Sequence, residues 1–388
     1  MSTKLGCICK FQSGGTPSKS NQDYYNGGIP WVTTTSLNGK QIDARDAVDW
    51  ITEKAIDETA AKIVPANSIM VGTRVGVGKV AVNLVDMSTS QDIISLLDID
   101  DSAWDKDFLC KYIQGKNRFL NSQARGATIK GIKIDVLANL DLPEISIDKQ
   151  RYISTNIDKV NHVIELRKKE LEEFDELIKA RFVELFGDPF TNEKGWPEAT
   201  ISDFYKVKGG KRIPKGMGYS DVPTSHPYLR ATDMKNETIL DNDIHYIDDN
   251  VFEKIKRYTV EGGDIYLTNV GVNLGMAGVI PDKFDGANLT ENAVKLVPTK
   301  GGINPKFIAH YINSDGIQNY INERKMAVGV PKLAIFRIET MPLLIPDKRV
   351  QDEFVEFKEQ VDKSKVVVQK ALDEAHLLFD SLMQEYFE

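Results

Sequence analysis

The sequence predicts a mixed α/β (α+β) protein built from two similar globular units, each closed by a long helix, with the two helices antiparallel. The first observation is an internal duplication. Residues 153–187 and 354–388 both read as helices, and aligning Gln150 with Gln351 sets an offset of 201 residues that holds without a gap. Val160 then meets Val361, Leu171 meets Leu372, Leu177 meets Leu378 and Phe186 meets Phe387. The second observation is that β-branched and aromatic runs, broken by Gly and Asn, precede each helix in the same order, as in α/β globules rather than bundles. The third is an apolar stripe at spacings of three and four in both helices. A duplicated, pseudo-twofold molecule suits a target with two half-sites, and B-DNA is the leading candidate.

Each half opens with a strand running into a Gly-rich basic turn, KFQSGGTPSK at 10–19 and YKVKGGKRIPK at 205–215. An apolar-aromatic strand ending in a polar turn follows, IPWVTTTSLNG at 29–39 and HPYLRATDMKN at 226–236. Then comes a β-rich stretch with a glycine hairpin, at 67–82 and 263–280, and a short aromatic helix, DFLCKYI at 107–113 and KFIAHYI at 306–312. A Gly/Pro-punctuated strand leads into the long helix. The first helical stripe comprises Ile157, Val160, Ile164, Leu171, Phe174, Ile178, Phe182 and Leu185, with Arg167 at a gap. The second comprises Phe354, Phe357, Val361, Val368, Leu372, Ala375, Leu378 and Leu382. These positions predict an antiparallel helix pair, each arm roughly 50 Å long at ~1.5 Å per residue. Gly187 in the left-handed conformation and Pro189 behind it should stop the first helix.

Composition excludes several classes. Hydrophobic content of 41% and charged content of 27% describe a soluble globular protein long enough for two cores. No apolar run approaches the ~18–20 residues of a membrane span, and the first fifteen residues lack a signal-peptide core. Three cysteines, Cys7, Cys9 and Cys110, are too few for a disulfide framework; Cys7 and Cys9 are expected to share a strand face and fill core, in a reducing cytoplasm. The net charge of −8 weighs against nucleic acid, but residues 351–388 alone hold 4 Lys+Arg against 10 Asp+Glu, while 1–150 hold 17 against 18 and 188–350 hold 21 against 21. Near-neutral units bind phosphate when their cations cluster on one face.

No catalytic motif stands out. Asp188-Pro189-Phe190 has one proline and reads as a helix stop rather than the base-holding segment of an adenine methyltransferase. Gly76-Val77-Gly78 lacks the third glycine of a dinucleotide fingerprint and reads as a hairpin. His162, His226, His245, His310 and His376 are too scattered for zinc, so no metal site is expected. Asp264, Asp282 and Asp285 read as surface turns.

Recognition chemistry remains. Arg, Asn and Gln read bases, while Lys, Ser and Thr hold phosphates. In the second half Lys206, Lys208, Lys211, Arg212 and Lys215 surround Gly209-Gly210, predicting a mobile cationic loop; the first half has Lys19 there. Thr35 and Ser36 match the turn at Arg230, and Arg74 and Lys79 lie in the first glycine hairpin where Asn269 lies in the second. Lys116, Arg118, Arg125 and Lys130 match Arg324, Lys325 and Lys332 before the last strand. The lysines suit phosphates, whereas Arg212 and Arg230 suit bidentate contact with guanine.

The helix end LIKARFVELFGDPFTNEKGW (177–196), the opening FQSGGTPSK and the turn TTSLNG resemble the specificity subunit of type I restriction–modification systems, and the resemblance covers nearly the whole chain. It implies target recognition domains at 1–150 and 188–350, with conserved helical spacers at 151–187 and 351–388. It also implies a non-catalytic reader of a bipartite, asymmetric site in double-stranded DNA. Two modification (adenine N6 methyltransferase) subunits would dock on the helices and ATP-dependent restriction subunits would join them. S-adenosylmethionine, ATP and Mg²⁺ would be held by those partners and no cofactor by this chain. The chain enters its first domain with little leader before Phe11, so the last helix is expected to complete the second spacer alone. Two other readings are a duplicated protein-interaction scaffold with peptide- or carbohydrate-binding globules, and an orphan methyltransferase, which the missing motifs disfavour.

Overall fold

β-Branched runs build the main sheet of each half in one and the same strand order. The computed structural model describes residues 3–126, 130–326 and 329–387. Lys10–Ser13, Ile93–Leu97, Ile69–Gly72 and Val80–Asn83 are neighbours in that order, antiparallel throughout, with Gln41–Ile42 added in parallel at the edge. In the second half Tyr205–Gly209, Ala293–Pro298, Ile265–Thr268 and Ala277–Val279 repeat the antiparallel order. Each half also pairs two strands in parallel, Tyr25–Val32 with Met87–Thr89 and Pro227–Leu229 with Asn288–Leu289.

The Gly-Gly pairs sit where the first strand of each sheet turns towards the second layer. Gly14 N–H donates to Ile93 and Gly15 N–H to Thr89 (3.2 and 2.9 Å); Gly210 N–H donates to Ala293 and Lys211 N–H to Leu289 (3.0 and 2.8 Å). A Cβ on Gly14 would overlap Thr89, and one on Gly210 the Thr290 carbonyl. Close backbone crossing therefore requires both glycines, which corrects the expectation of a mobile loop at 209–210.

Two compact units emerge. One holds the residues up to Lys168 and those from Gln369 onward; the other holds Lys169–Val368. The central helix, Ile147–Phe186, thus begins in the first unit and ends in the second, and the terminal helix, Lys348–Phe387, does the reverse. Phe186 packs 4.8 Å from the ring of Phe307 on helix Pro305–Asn313. At the equivalent place Phe387 packs 5.6 Å from Phe108 on helix Lys106–Gly115. The aligned glutamines explain their own register. Gln150 and Gln351 are fully buried, and their Oε1 atoms accept from the N–H groups of Asp105 (2.9 Å) and Asn304 (2.8 Å), the N-cap residues of those two short helices.

Within the second unit the helix segments run antiparallel, because Asp175 pairs with Lys365 and Arg181 with Glu353, each at 2.5 Å. Ile178, Phe182, Val361 and Val368 are buried there, with Leu171 and Phe174 half-buried. Within the first unit Ile153 and Ile157 share a core with Phe379, Leu382 and Phe387. Val160 is half-buried, and Ile164 and Leu372 are buried. Leu378 departs from the expected seam: it is 51% exposed. The inward stripe runs Leu372, Ala375, Phe379, Leu382, Tyr386, and Leu378 lies one residue, about 100°, off it.

Gly187 has φ +72° and ends the central helix as expected. Two expectations change. Leu5–Cys7 is a 3₁₀ turn, so Cys7 is exposed rather than core, while burial pushes the Cys9 thiol up to about 12. Asp264 is not a surface turn; it is buried and pairs with Lys295 at 2.8 Å. Among the described residues no helix is long and apolar enough to cross a membrane.

Candidate nucleic-acid interface

Each unit carries a glycine hairpin at the equivalent place in its main sheet. In the first unit the hairpin between Ile69–Gly72 and Val80–Asn83 carries Arg74 and Lys79, both exposed. Its base is fastened to the segment before the last strand by Ile132 N–H to the Thr73 carbonyl, 2.8 Å, and Arg125 and Gly131 exchange backbone bonds. Arg74, Gln123, Arg125 and Lys133 thereby line one cavity of about 450 Å³. Arg74 has a carboxylate within ion-pair range, Asp92 at 3.8 Å. Lys130 is exposed on the same segment.

The other first-unit candidates lie apart from this cavity. Lys19 is exposed on the turn after the Gly-Gly pair. Thr35 Oγ1 is 2.8 Å from Thr33 Oγ1, and Ser36 Oγ donates to the Asp46 carbonyl at 2.8 Å, so both hydroxyls serve the turn. Lys116 lies over the Tyr112 ring (5.5 Å), and Arg118 lines a cleft with Phe379, Asp380 and Met383 of the terminal helix.

In the second unit Lys206 and Lys208 alternate outward along edge strand Tyr205–Gly209, opposite the buried Tyr205 and Val207. Lys211 lies over the Tyr258 ring at 5.8 Å, Lys215 is exposed, and Arg212 pairs with Glu291 while remaining 79% exposed. Lys332 is exposed and its backbone is bridged to both Val270 and Met326.

Arg230 is a correction. Its guanidinium meets Asp233 at 2.6 Å, Asp243 at 3.0 Å and His245 Nε2 at 3.1 Å, and the hydrogen bond to Asp233, more than any other contact, raises its pKa. A guanidinium so fully bonded has few donors left for a base edge. Asn269 is buried rather than exposed on its hairpin: its Nδ2 donates to the Leu333 carbonyl at 3.4 Å, and its Oδ1 has no partner among the described residues. Arg324 stacks over Tyr320 (4.0 Å) and pairs with Glu323, and Lys325 donates to Asn322 at 2.7 Å. Sequence reasoning had no place for Phe336 and Arg337, which sit on short helix Ile335–Glu339 with the guanidinium 4.8 Å from the ring centroid. An exposed Phe beside Arg in a segment read only as a strand lead-in was the available signal.

Among the described residues no three His, Cys, Asp or Glu side chains gather to hold a metal. Two duplicated units, the first with exposed cations on its hairpin (Arg74, Lys79) and the second with exposed cations on its edge strand (Lys206, Lys208), present surfaces suited to recognition. The class is narrower than that. A model of the type I restriction modification DNA specificity domain matches residues 1–175 and again 193–375, and the chain belongs to that family. It is 24% identical over 369 residues to the type I restriction enzyme MjaIX specificity subunit of Methanocaldococcus jannaschii, covering 90% of this chain and 84% of that one. It is 28% identical over 196 residues to the EcoR124I/EcoR124II specificity subunit of Escherichia coli, covering 45% and 46%. In fold it is similar to the type I S subunit from M. genitalium, with TM-score 0.57 at 16% identity, covering 100% of this chain and 96% of that one. It is likewise similar to a chain solved in work on complex assembly and conformational transition of the type I R-M system, with TM-score 0.66 at 14% identity and 100% and 97% coverage.

Proposed function

We propose that this chain is the sequence reader of a type I restriction–modification complex that recognises a split, asymmetric site in duplex DNA, one block per unit. The observation that carries this reading is the duplication of backbone without duplication of the side chains it presents. The hairpin and brace are the same in both units, yet Arg74 and Arg125 in the first answer to Val270 and Met326 in the second. Like backbones bearing unlike side chains suit two blocks of unlike sequence. The exposed faces of the central and terminal helices would dock two modification subunits, with restriction subunits joining that core. The reactions, adenine N6 methylation and ATP-driven cleavage, would then belong to the partners, as would S-adenosylmethionine, ATP and Mg²⁺. The test is a map of methylated adenines made with the cognate modification subunit. Two unlike blocks about one helical turn (~10 bp) apart are expected. One continuous site or a perfect palindrome would overturn the reading.

A further inference from the structure

The two units differ at one equivalent place, the slot where the glycine hairpin meets the segment before the last strand. The backbone fastening is shared: Ile132 N–H donates to the Thr73 carbonyl at 2.8 Å, and Leu333 N–H to the Asn269 carbonyl at 2.9 Å. Arg125 and Gly131 exchange hydrogen bonds in the first unit, as Met326 and Lys332 do in the second. The slots are of similar size, about 450 and 440 Å³. Their linings differ in chemistry, the first richer in cations and the second in exposed apolar surface. The first is walled by Arg74, Gln123, Arg125 and Lys133 and has no carboxylate among the described residues of its lining. The second is walled by Val294, Ala334, Ile335 and Phe336, with Asn269 at its inner side, and its charged members are Lys332 and Glu291, the latter paired with Arg212.

Asn269 is 94% buried, and its Oδ1 has no hydrogen-bond partner among the described residues. An acceptor left so is costly unless a ligand donates to it. The slot's rim is apolar and open. Val272 at the hairpin tip is 97% exposed and Phe336 is 55% exposed, and Gly271 N–H ties the tip to the Pro331 carbonyl at 2.9 Å. Lys332 and Arg337 flank this rim, which marks a polyanion rather than a lipid or an apolar peptide as the occupant.

Base-pair edges in the major groove separate the two linings. Guanine presents two acceptors, O6 and N7, which two guanidinium groups satisfy. An A·T pair presents the adenine N6–H donor and the thymine methyl, which match an acceptor set beside an apolar wall; a C·G pair offers a donor but no methyl. Resting on the DNA-reading function proposed above, we infer that the first unit reads guanine through Arg74 and Arg125, and that the second reads an A·T pair through Asn269 and the rim of Val272 and Phe336.

The experiment measures binding of the complex with its modification subunits to the mapped site, in duplexes carrying single base analogues. Deoxyuridine for thymine removes only the methyl and should weaken binding about fourfold in one block, the worth of one buried methyl group. 7-Deazaguanine should weaken it about fivefold or more in the other block. Val272→Ser with Phe336→Ala should erase the deoxyuridine effect, and Arg74→Gln should erase part or all of the 7-deazaguanine effect. All three side chains are more than half exposed, so an unchanged melting temperature is expected of each variant. Deoxyuridine sensitivity in both blocks or in neither, or its survival in the Val272/Phe336 variant, would overturn the inference while leaving the function standing. Sequence-independent binding by the unaltered complex would overturn the function, and this inference with it.

Discussion

At the scale of single residues, cations that look alike in sequence differ by what the fold places beside them. Lys206, Lys208, Lys211 and Lys215 stay exposed, so their replacement by Ala should weaken DNA binding alike on all sequences. It should also flatten the salt dependence by about 0.9 for each phosphate no longer neutralised. A salt titration that keeps the parent slope would remove this loop and strand from the interface. Arg230 belongs to another category. Its bonds to Asp233, Asp243 and His245 make it a clasp within the second unit. Arg230→Ala should cost about 3 kcal/mol in denaturant unfolding, because it strands a buried carboxylate, and should leave base preference in both blocks unchanged. The sequence could show that Arg230 follows a strand and begins a turn. That the segment beyond the 234–239 hairpin brings Asp243 and His245 against it is a tertiary fact.

Individual elements show the same division. The hairpin Met234–Lys235 with Thr238–Ile239 turns through Asn236 and Glu237, both at positive φ (52° and 58°), a conformation unusual for Glu. Burial pushes the Glu237 carboxyl up, but the hydrogen bond and charge of His310 (2.7 Å), with Lys358 at 3.2 Å, outweigh it and hold the pKa below its usual value. A depressed carboxyl adds stability above its unfolded pKa of about 4.3 and loses it as pH falls through the folded value. Unfolding of Glu237→Gln against the parent should therefore differ by about 3 kcal/mol near neutrality, and the gap should close on acidification below that range. A gap independent of pH would assign the loss to strain instead. In the long helices, Ile178→Asp should cost several kcal/mol and Leu378→Asp no more than about 0.5, since the first is 5% exposed and the second 51%. Equal losses would show that the seam is wrongly assigned.

For the molecule as a whole, the second long helix contributes Phe379, Leu382 and Phe387 to the first unit's core. Phe387 packs on Phe108 and Tyr112, as Phe186 packs on Phe307 and Phe354 in the second unit. Phe387→Ala should therefore destabilise the first unit by about 3–5 kcal/mol and leave the second nearly unchanged, and Phe186→Ala should do the opposite. Hydrogen exchange followed separately in residues 69–113 and 265–312 reads both. Equal loss of protection in the two regions would mean that the units do not unfold independently.

The duplication, its register of 201 residues, the helix stripes and the stop at Gly187 are legible in the amino-acid order, because they follow from local periodicity and backbone preference, which act within a few residues. The same order puts Gln150 and Gln351 in equivalent roles without showing what they do, which is to cap helices that lie 45 and 47 residues upstream. Folding in three dimensions settled which unit each helix half joins, why Gly14 and Gly210 must lack a Cβ, and which cations stay exposed. Those outcomes depend on neighbours tens to hundreds of residues away in the chain, whose charge and volume no local pattern records.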